Sequence, residues 1–142
     1  MKYRIIRSNR KSIGLQVTGD RDVIVRAALD AIVYQVNDII NAMEQDAKYK
    51  VTALRVDGGA SNNNYLCRTQ ADISDTVVIR PQCVETTALG AAYFAGLAVG
   101  YWEDETDIEN SFKDDTEFYP NMLKEDGQKR LNGWKDAIGH AV

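Results

Sequence analysis

The sequence predicts an α/β fold, and three observations carry that reading. Residues 21–46 hold a long run of apolar positions at spacings of three and four, the period of a helix. Two short β-branched runs, 51–56 and 76–80, alternate with helical patterns at 61–73 and 85–99. A glycine pair stands directly behind the first of these strands, where a strand turns into a helix. The order helix, strand, helix, strand, helix belongs to a helix-flanked sheet. The 142 residues amount to one domain's length, and 44% apolar with 27% charged residues is the composition of a globular chain with a core.

Taken in order, residues 3–7 and 13–17 read as short strands, followed by punctuation at Gly19 and Asp20. The helix over 21–46 sets Val25, Leu29, Ile32, Val36, Ile39, Ile40 and Met43 on one stripe. Val23, Ala27, Ala28 and Ala31 widen that stripe, so cover on more than one side is expected. Residues 51–56 form a strand that stops at Asp57-Gly58-Gly59, and the next helix starts at Ser61. Residues 76–80 form a second strand that Pro81 ends. The helix over 85–99 can be capped by Thr86 or Thr87 and is packed by small residues. Residues 103–117 are strongly acidic and read as a solvated helix and loop. An amphipathic helix closes the chain over 122–139, interrupted by Gly127 and Gly133. Two strands with an uncertain N-terminal pair would leave a thin sheet with an open edge.

Composition excludes several functions. The net charge of −4 carries no footprint for nucleic acid, although Lys2, Arg4, Arg7, Arg10 and Lys11 cluster at the N-terminus. A single histidine, His140, rules against multi-histidine metal centres and a Ser-His-Asp triad. Cys67 and Cys83 are too few for a disulfide scaffold and read as reduced thiols of a cytoplasmic protein. With His140 they lack the close spacing of a zinc site, so no metal site is expected. The uncharged run 86–102 contains Gly90, Gly96 and Gly100 and falls short of the ~18–20 apolar residues of a membrane span. A buried small-residue helix is expected there, and no membrane partner. No targeting segment is visible at the N-terminus.

The stretch richest in chemistry is Asp57-Gly58-Gly59-Ala60-Ser61-Asn62-Asn63-Asn64. Two glycines let a flat or anionic ligand approach the backbone, and the following helix N-terminus offers free N–H groups. Asparagine amides both donate and accept, which suits the edge of a base or a ribose. The same residues also make an ordinary strand-to-helix turn capped by Ser or Asn, and spacing alone leaves both readings open. The pattern is neither a Walker loop nor the Gly-x-Gly-x-x-Gly fingerprint. The second stretch, Arg80-Pro81-Gln82-Cys83-Val84-Glu85-Thr86-Thr87-Ala88-Leu89-Gly90-Ala91-Ala92-Tyr93, reads as close helix packing. Glu85 either caps that helix or bonds a neighbouring loop.

Together these two stretches resemble the C-terminal half of the FGGY carbohydrate kinases, in particular those that act on glycerol. Residues 24–35, Glu117-Phe118-Tyr119-Pro120 and Gly133-Trp134-Lys135 extend the resemblance from about residue 14 to the end. It implies a partial ribonuclease-H-like domain of the actin/hexokinase/Hsp70 type with a C-terminal helical extension. The implied division is 1–13 as a divergent segment, 14–102 as an incomplete domain core and 103–142 as an acidic and helical extension. It further implies ATP or ADP as ligand, with Gly58, Gly59 and Ala60 against adenine and ribose and Asn63 on the base. Mg and glycerol enter only through the complete enzyme. By the same resemblance the catalytic carboxylate, the glycerol contacts and the phosphate loops lie outside these residues. The isolated chain is therefore expected to be inactive, since phosphoryl transfer needs a bound nucleotide, a positioned hydroxyl and a base. Another FGGY sugar kinase, or a free-standing nucleotide- or protein-binding module, is the alternative. Homo-oligomer formation stays open.

Overall fold

A helix-period run of apolar residues that starts with an acidic residue and contains no glycine or proline should propagate without a break. In the computed structural model, which describes residues 21–111 and 115–140, it does. Helix α1 spans Arg21–Ala47, with Asp22 in its first turn. It stops where Lys48 turns left-handed, at φ 61°, and its amide closes on the Glu44 carbonyl at 3.0 Å. The expected strands at 3–7 and 13–17 and the basic cluster lie outside the described residues.

The elements that follow are β1 (Ala53–Arg55), a 3-10 turn (Gly59–Asn62), α2 (Asn64–Ser74), β2 (Val77–Arg80), α3 (Thr86–Ala98), α4 (Glu105–Ser111), β3 (Thr116–Phe118) and α5 (Lys124–Gly139). The chain divides into two units. One contains α1 and α5, and the other runs from Lys50 to Pro120.

In the first unit the buried line of α1 is Val33, Asn37 and Ile40, spaced four and three. This corrects the expected stripe. Val25, Ile32, Ile39 and Met43 are exposed, because the helix is apolar around much of its circumference and only one side of it is covered. The Trp134 ring of α5 lies 5.5 Å from Tyr34, and its indole N–H donates to Asp38 at 2.9 Å. Glu125 and Asp126 occupy the first turn of α5, at the positive end of its dipole.

Among the described residues the second unit is built on a three-stranded sheet of order β1-β2-β3. β1 and β2 run parallel, with Ala53 opposite Val77 and Arg55 opposite Ile79. Helix α2 makes the crossover between them and covers β2. Cys67 and Ala71 from α2 pack on Val78 and Phe118, with Leu54 and Val56 alongside. β3 corrects the expectation that 103–117 is only wet helix and loop. Its three residues pair antiparallel to β2, Val78 opposite Phe118 and Arg80 opposite Thr116. Phe118 is buried, while Thr116 and Glu117 are exposed. The acidic run before it is also more than a wet face. Asp104 accepts from the amides of Thr106 and Asp107, and Asp107 accepts from Glu103, which satisfies N–H groups at the start of α4.

Helix α3 ends in a Schellman motif. Gly100 is left-handed at φ 71°, the Tyr101 amide donates to Gly96 at 2.8 Å and the Gly100 amide to Leu97 at 3.2 Å. Trp102 then folds back onto Gly96 and meets Tyr93 edge-on at 5.3 Å. The expected burial of this helix does not hold among the described residues. Gly96 is its one buried residue, and Phe94 is 76% exposed. Its ends are held while its length is uncovered. Among the described residues no helix is long and apolar enough to cross a membrane.

Candidate functional site

Parallel strands deliver their carboxyl ends to one edge of a sheet, and ligands of open α/β sheets bind outside that edge. Here β1 leads into Val56-Asp57-Gly58-Gly59 and β2 into Pro81-Gln82-Cys83-Val84. The Val56 amide continues the ladder by donating to Ile79 at 3.0 Å. The two loops are then stitched together. The Gly58 amide donates to the Val84 carbonyl at 2.8 Å, and the Thr86 hydroxyl donates to the Asp57 carboxylate.

Gly58 takes φ 78° and ψ 169°, a backbone region that only glycine enters freely. Its carbonyl accepts from both the amide and the hydroxyl of Ser61, at 3.0 and 2.7 Å, which winds residues 59–62 into a single 3-10 turn. Gly59 and Ala60 are exposed on this turn, and a Cβ added at Gly59 would meet no atom within 4 Å. Among the described residues nothing packs against Gly59 to require a glycine there.

Asn63 is the N-cap of α2. Its side-chain oxygen accepts from the amides of Tyr65 and Leu66 at 3.0 and 3.3 Å. The helix therefore starts three residues after Ser61, which corrects the expected start at Ser61; of the two expected caps, Ser or Asn, it is the asparagine that serves. Ser61 is buried inside the turn and bonds backwards to Gly58, so it is unavailable to the helix ahead. With the Asn63 oxygen committed, its amide nitrogen is what the residue has left to offer a ligand. Glu85 stands at the N-cap of α3 without a side-chain cap bond, and Thr86 bonds Asp57, so neither threonine reading of that cap holds.

The four expected residues, Gly58, Gly59, Ala60 and Asn63, thus lie on one continuous turn at the carboxyl edge. Two supporting residues were not foreseen. Arg80, the last residue of β2, donates from Nη1 to the Ser61 carbonyl at 2.9 Å and to the Asn64 side chain at 2.8 Å. Cys67 donates its thiol to the same Ser61 carbonyl at 3.2 Å. Burial pushes the Cys67 pKa up, and the nearby Arg80 charge opposes this in part. Cys67 and the exposed Cys83 are both free thiols. The one sequence signal for Arg80 was its place immediately before the strand-ending Pro81. Among the described residues no three His, Cys, Asp or Glu side chains converge to hold a metal ion.

A βαβ crossover with its open turn at the carboxyl edge, followed by a small-residue helix, is the architecture of a sugar-kinase C-terminal domain, a partial ribonuclease-H-like α/β fold. A xylulose kinase from Lactobacillus acidophilus shares that fold at TM-score 0.61 and 20% identity, over 93% of this chain and 26% of that one. Residues 3–99 match the C-terminal domain of the FGGY family of carbohydrate kinases, and the chain belongs to that family. A glycerol kinase of Aeromonas hydrophila is 49% identical over 126 residues, covering 89% of this chain and 25% of the relative. The structure of Plasmodium falciparum glycerol kinase with ADP superposes at TM-score 0.77 and 30% identity, over 94% of this chain and 27% of that one. The chain spans about a quarter of the length of the curated relatives it matches.

Proposed function

We propose that these residues form the nucleotide side of a glycerol kinase, which moves a phosphoryl group from ATP to a hydroxyl of glycerol. The observation that carries this is the open turn. Gly58 holds a glycine-only conformation, Gly59 presents bare backbone to open space, and the small Ala60 is exposed beside it. A flat base and ribose fit such a surface, because no side chain keeps them from the backbone. Asn63, its oxygen engaged in capping, would donate from its amide to a ring nitrogen or carbonyl of the base. The half-identity to glycerol kinases supports glycerol as the acceptor.

ATP supplies the transferred group, and Mg would be held by its phosphates together with residues from the rest of the enzyme. What this chain contributes is placement of the adenosine end, which turns a bimolecular encounter into an oriented one. The catalytic base and the glycerol contacts belong to the other three quarters of such an enzyme. On this reading the 142-residue chain alone produces no glycerol 3-phosphate.

The test is a chimera in which these residues replace the matching quarter of the Aeromonas hydrophila glycerol kinase. It should phosphorylate glycerol with ATP. Gly59→Val in that chimera should raise the KM for ATP about tenfold or more, the loss of roughly 1.4 kcal/mol of binding, and leave the KM for glycerol in place. A folded chimera whose ATP dependence ignores Gly59→Val would refute the site, and turnover by the isolated chain would refute the division of labour.

A further inference from the structure

Nucleotide sites made of backbone depend on how firmly the backbone is held, since a surface that must be ordered on binding loses affinity. The turn over residues 58–63 is closed by its own short-range bonds, which by themselves are marginal for a single 3-10 turn. The Gly58 amide ties its start to Val84, and side chains of other elements, Arg80 and Cys67, anchor its later half. We infer that Arg80 is a positioning residue for the nucleotide turn, acting through the Ser61 carbonyl and the Asn64 side chain. The inference rests on the proposed nucleotide site.

One guanidinium nitrogen, Nη1, serves both acceptors, at 2.9 Å to Ser61 and 2.8 Å to Asn64. These two residues bracket Asn63, the residue placed on the base. The Ser61 carbonyl also receives the Cys67 thiol, so it is fixed from two directions inside a buried setting. The guanidinium in turn lies over the Phe118 ring, 5.2 Å from its centroid. β3 therefore supplies the platform, β2 the arm and α2 the thiol, and the arm and the thiol meet at one carbonyl of the turn. A planar cation that stacks on a ring while donating from its edge does this, whereas a lysine ammonium cannot stack and bridge in the same way. Hydrogen bonds from a charged donor are the stronger class, so removal of this one should be visible.

The test measures two things on the full 142-residue chain. Amide hydrogen exchange without nucleotide reads the turn itself, at Ser61 and Asn63, against Val78 and Ile79 in β2. Titration with ATP reads the site. Arg80→Met should speed exchange at Ser61 and Asn63 about tenfold, with β2 unchanged, and Arg80→Lys should recover only part of that protection. Asn64→Ala, an exposed change that leaves Arg80 its second acceptor, should give a smaller increase confined to the same amides, and should give none on top of Arg80→Met. ATP affinity should fall in the same order. Unchanged exchange at the turn in Asn64→Ala and Arg80→Met would overturn the inference, as would additive effects of the two. If the wild-type chain binds no ATP, the nucleotide reading fails, while exchange still decides whether Arg80 holds the turn.

Discussion

The Gly58 amide donates to the Val84 carbonyl at 2.8 Å, joining the loop behind β1 to the loop behind β2. The chain leaving that bond does so through Gly58 at φ 78°, which leads it into the 3-10 turn. The two conspicuous sequence stretches are thus halves of one structure, and the first glycine is the hinge between them.

The two glycines should therefore behave differently. Gly58→Ala forces a side chain into a region that costs about 1–3 kcal/mol. It should lower the urea midpoint of unfolding accordingly and loosen the turn. Gly59→Ala meets no atom within 4 Å and should leave the midpoint within about 0.5 kcal/mol of wild type. Equal losses from the two substitutions would contradict this assignment.

Cys67 should make stability fall in alkali. Burial raises its pKa from the ordinary 9.0 more than the Arg80 charge lowers it, so the folded thiol keeps its proton to higher pH than the unfolded one. The stability this contributes is complete below pH 9.0 and is lost as pH rises through the folded value. Tyr119 is also shifted up, by its hydrogen bond to the Glu117 carboxylate and by that group's charge, but it is the same in both chains of the comparison. Wild type should thus lose more stability than Cys67→Ala between pH 8 and pH 11 in urea titrations. Parallel pH profiles would show that the thiol is not protected. At neutral pH a thiol reagent should modify the exposed Cys83 and spare Cys67 until the chain unfolds.

The Trp102 ring fills the space where a Cβ on Gly96 would stand. Gly96→Ala should therefore destabilise the end of α3 by about 1–3 kcal/mol, through overpacking that the rigid indole relieves poorly. Trp102→Leu loses the edge-on contacts with Tyr93 and Tyr101, at 5.3 and 4.7 Å. The double variant should be less damaged than the sum of the two, because the smaller side chain frees room for the new methyl. Thermal melts of the four chains decide it, and strict additivity would argue against the packing described.

Most helices and both parallel strands were legible because their signals are local. Apolar spacing marks α1, the turn residues Asp57-Gly58-Gly59 bound the run that holds β1, a β-branched run marks β2, and Pro81 marks the end of β2. The turn was legible as a site because Gly58 and Gly59 leave a gap in the side-chain record. β3 was not legible. Three residues, Thr116-Glu117-Phe118, carry too little pattern inside an acidic run, and they become a strand only because β2 offers them a free edge. The start of α2 was misplaced for a related reason. Ser61 and Asn63 are both good caps, and burial of Ser61 inside the 3-10 turn decided between them.

By itself, then, the sequence determined the α/β alternation, the glycine turn and the kinase family to which both belong, since each depends on residues close together in the chain. Only the tertiary structure decided which side of α1 is buried, that α3 lies uncovered, and that Arg80 and Phe118 stand behind the turn. The last of these depends on partners about 19 to 40 positions away, as in the registry of Arg80 with Thr116 and of Val78 with Phe118, and on Arg80 reaching Ser61. No local pattern encodes such distances, because what selects them is the mutual fit of surfaces that exist only once the elements have formed.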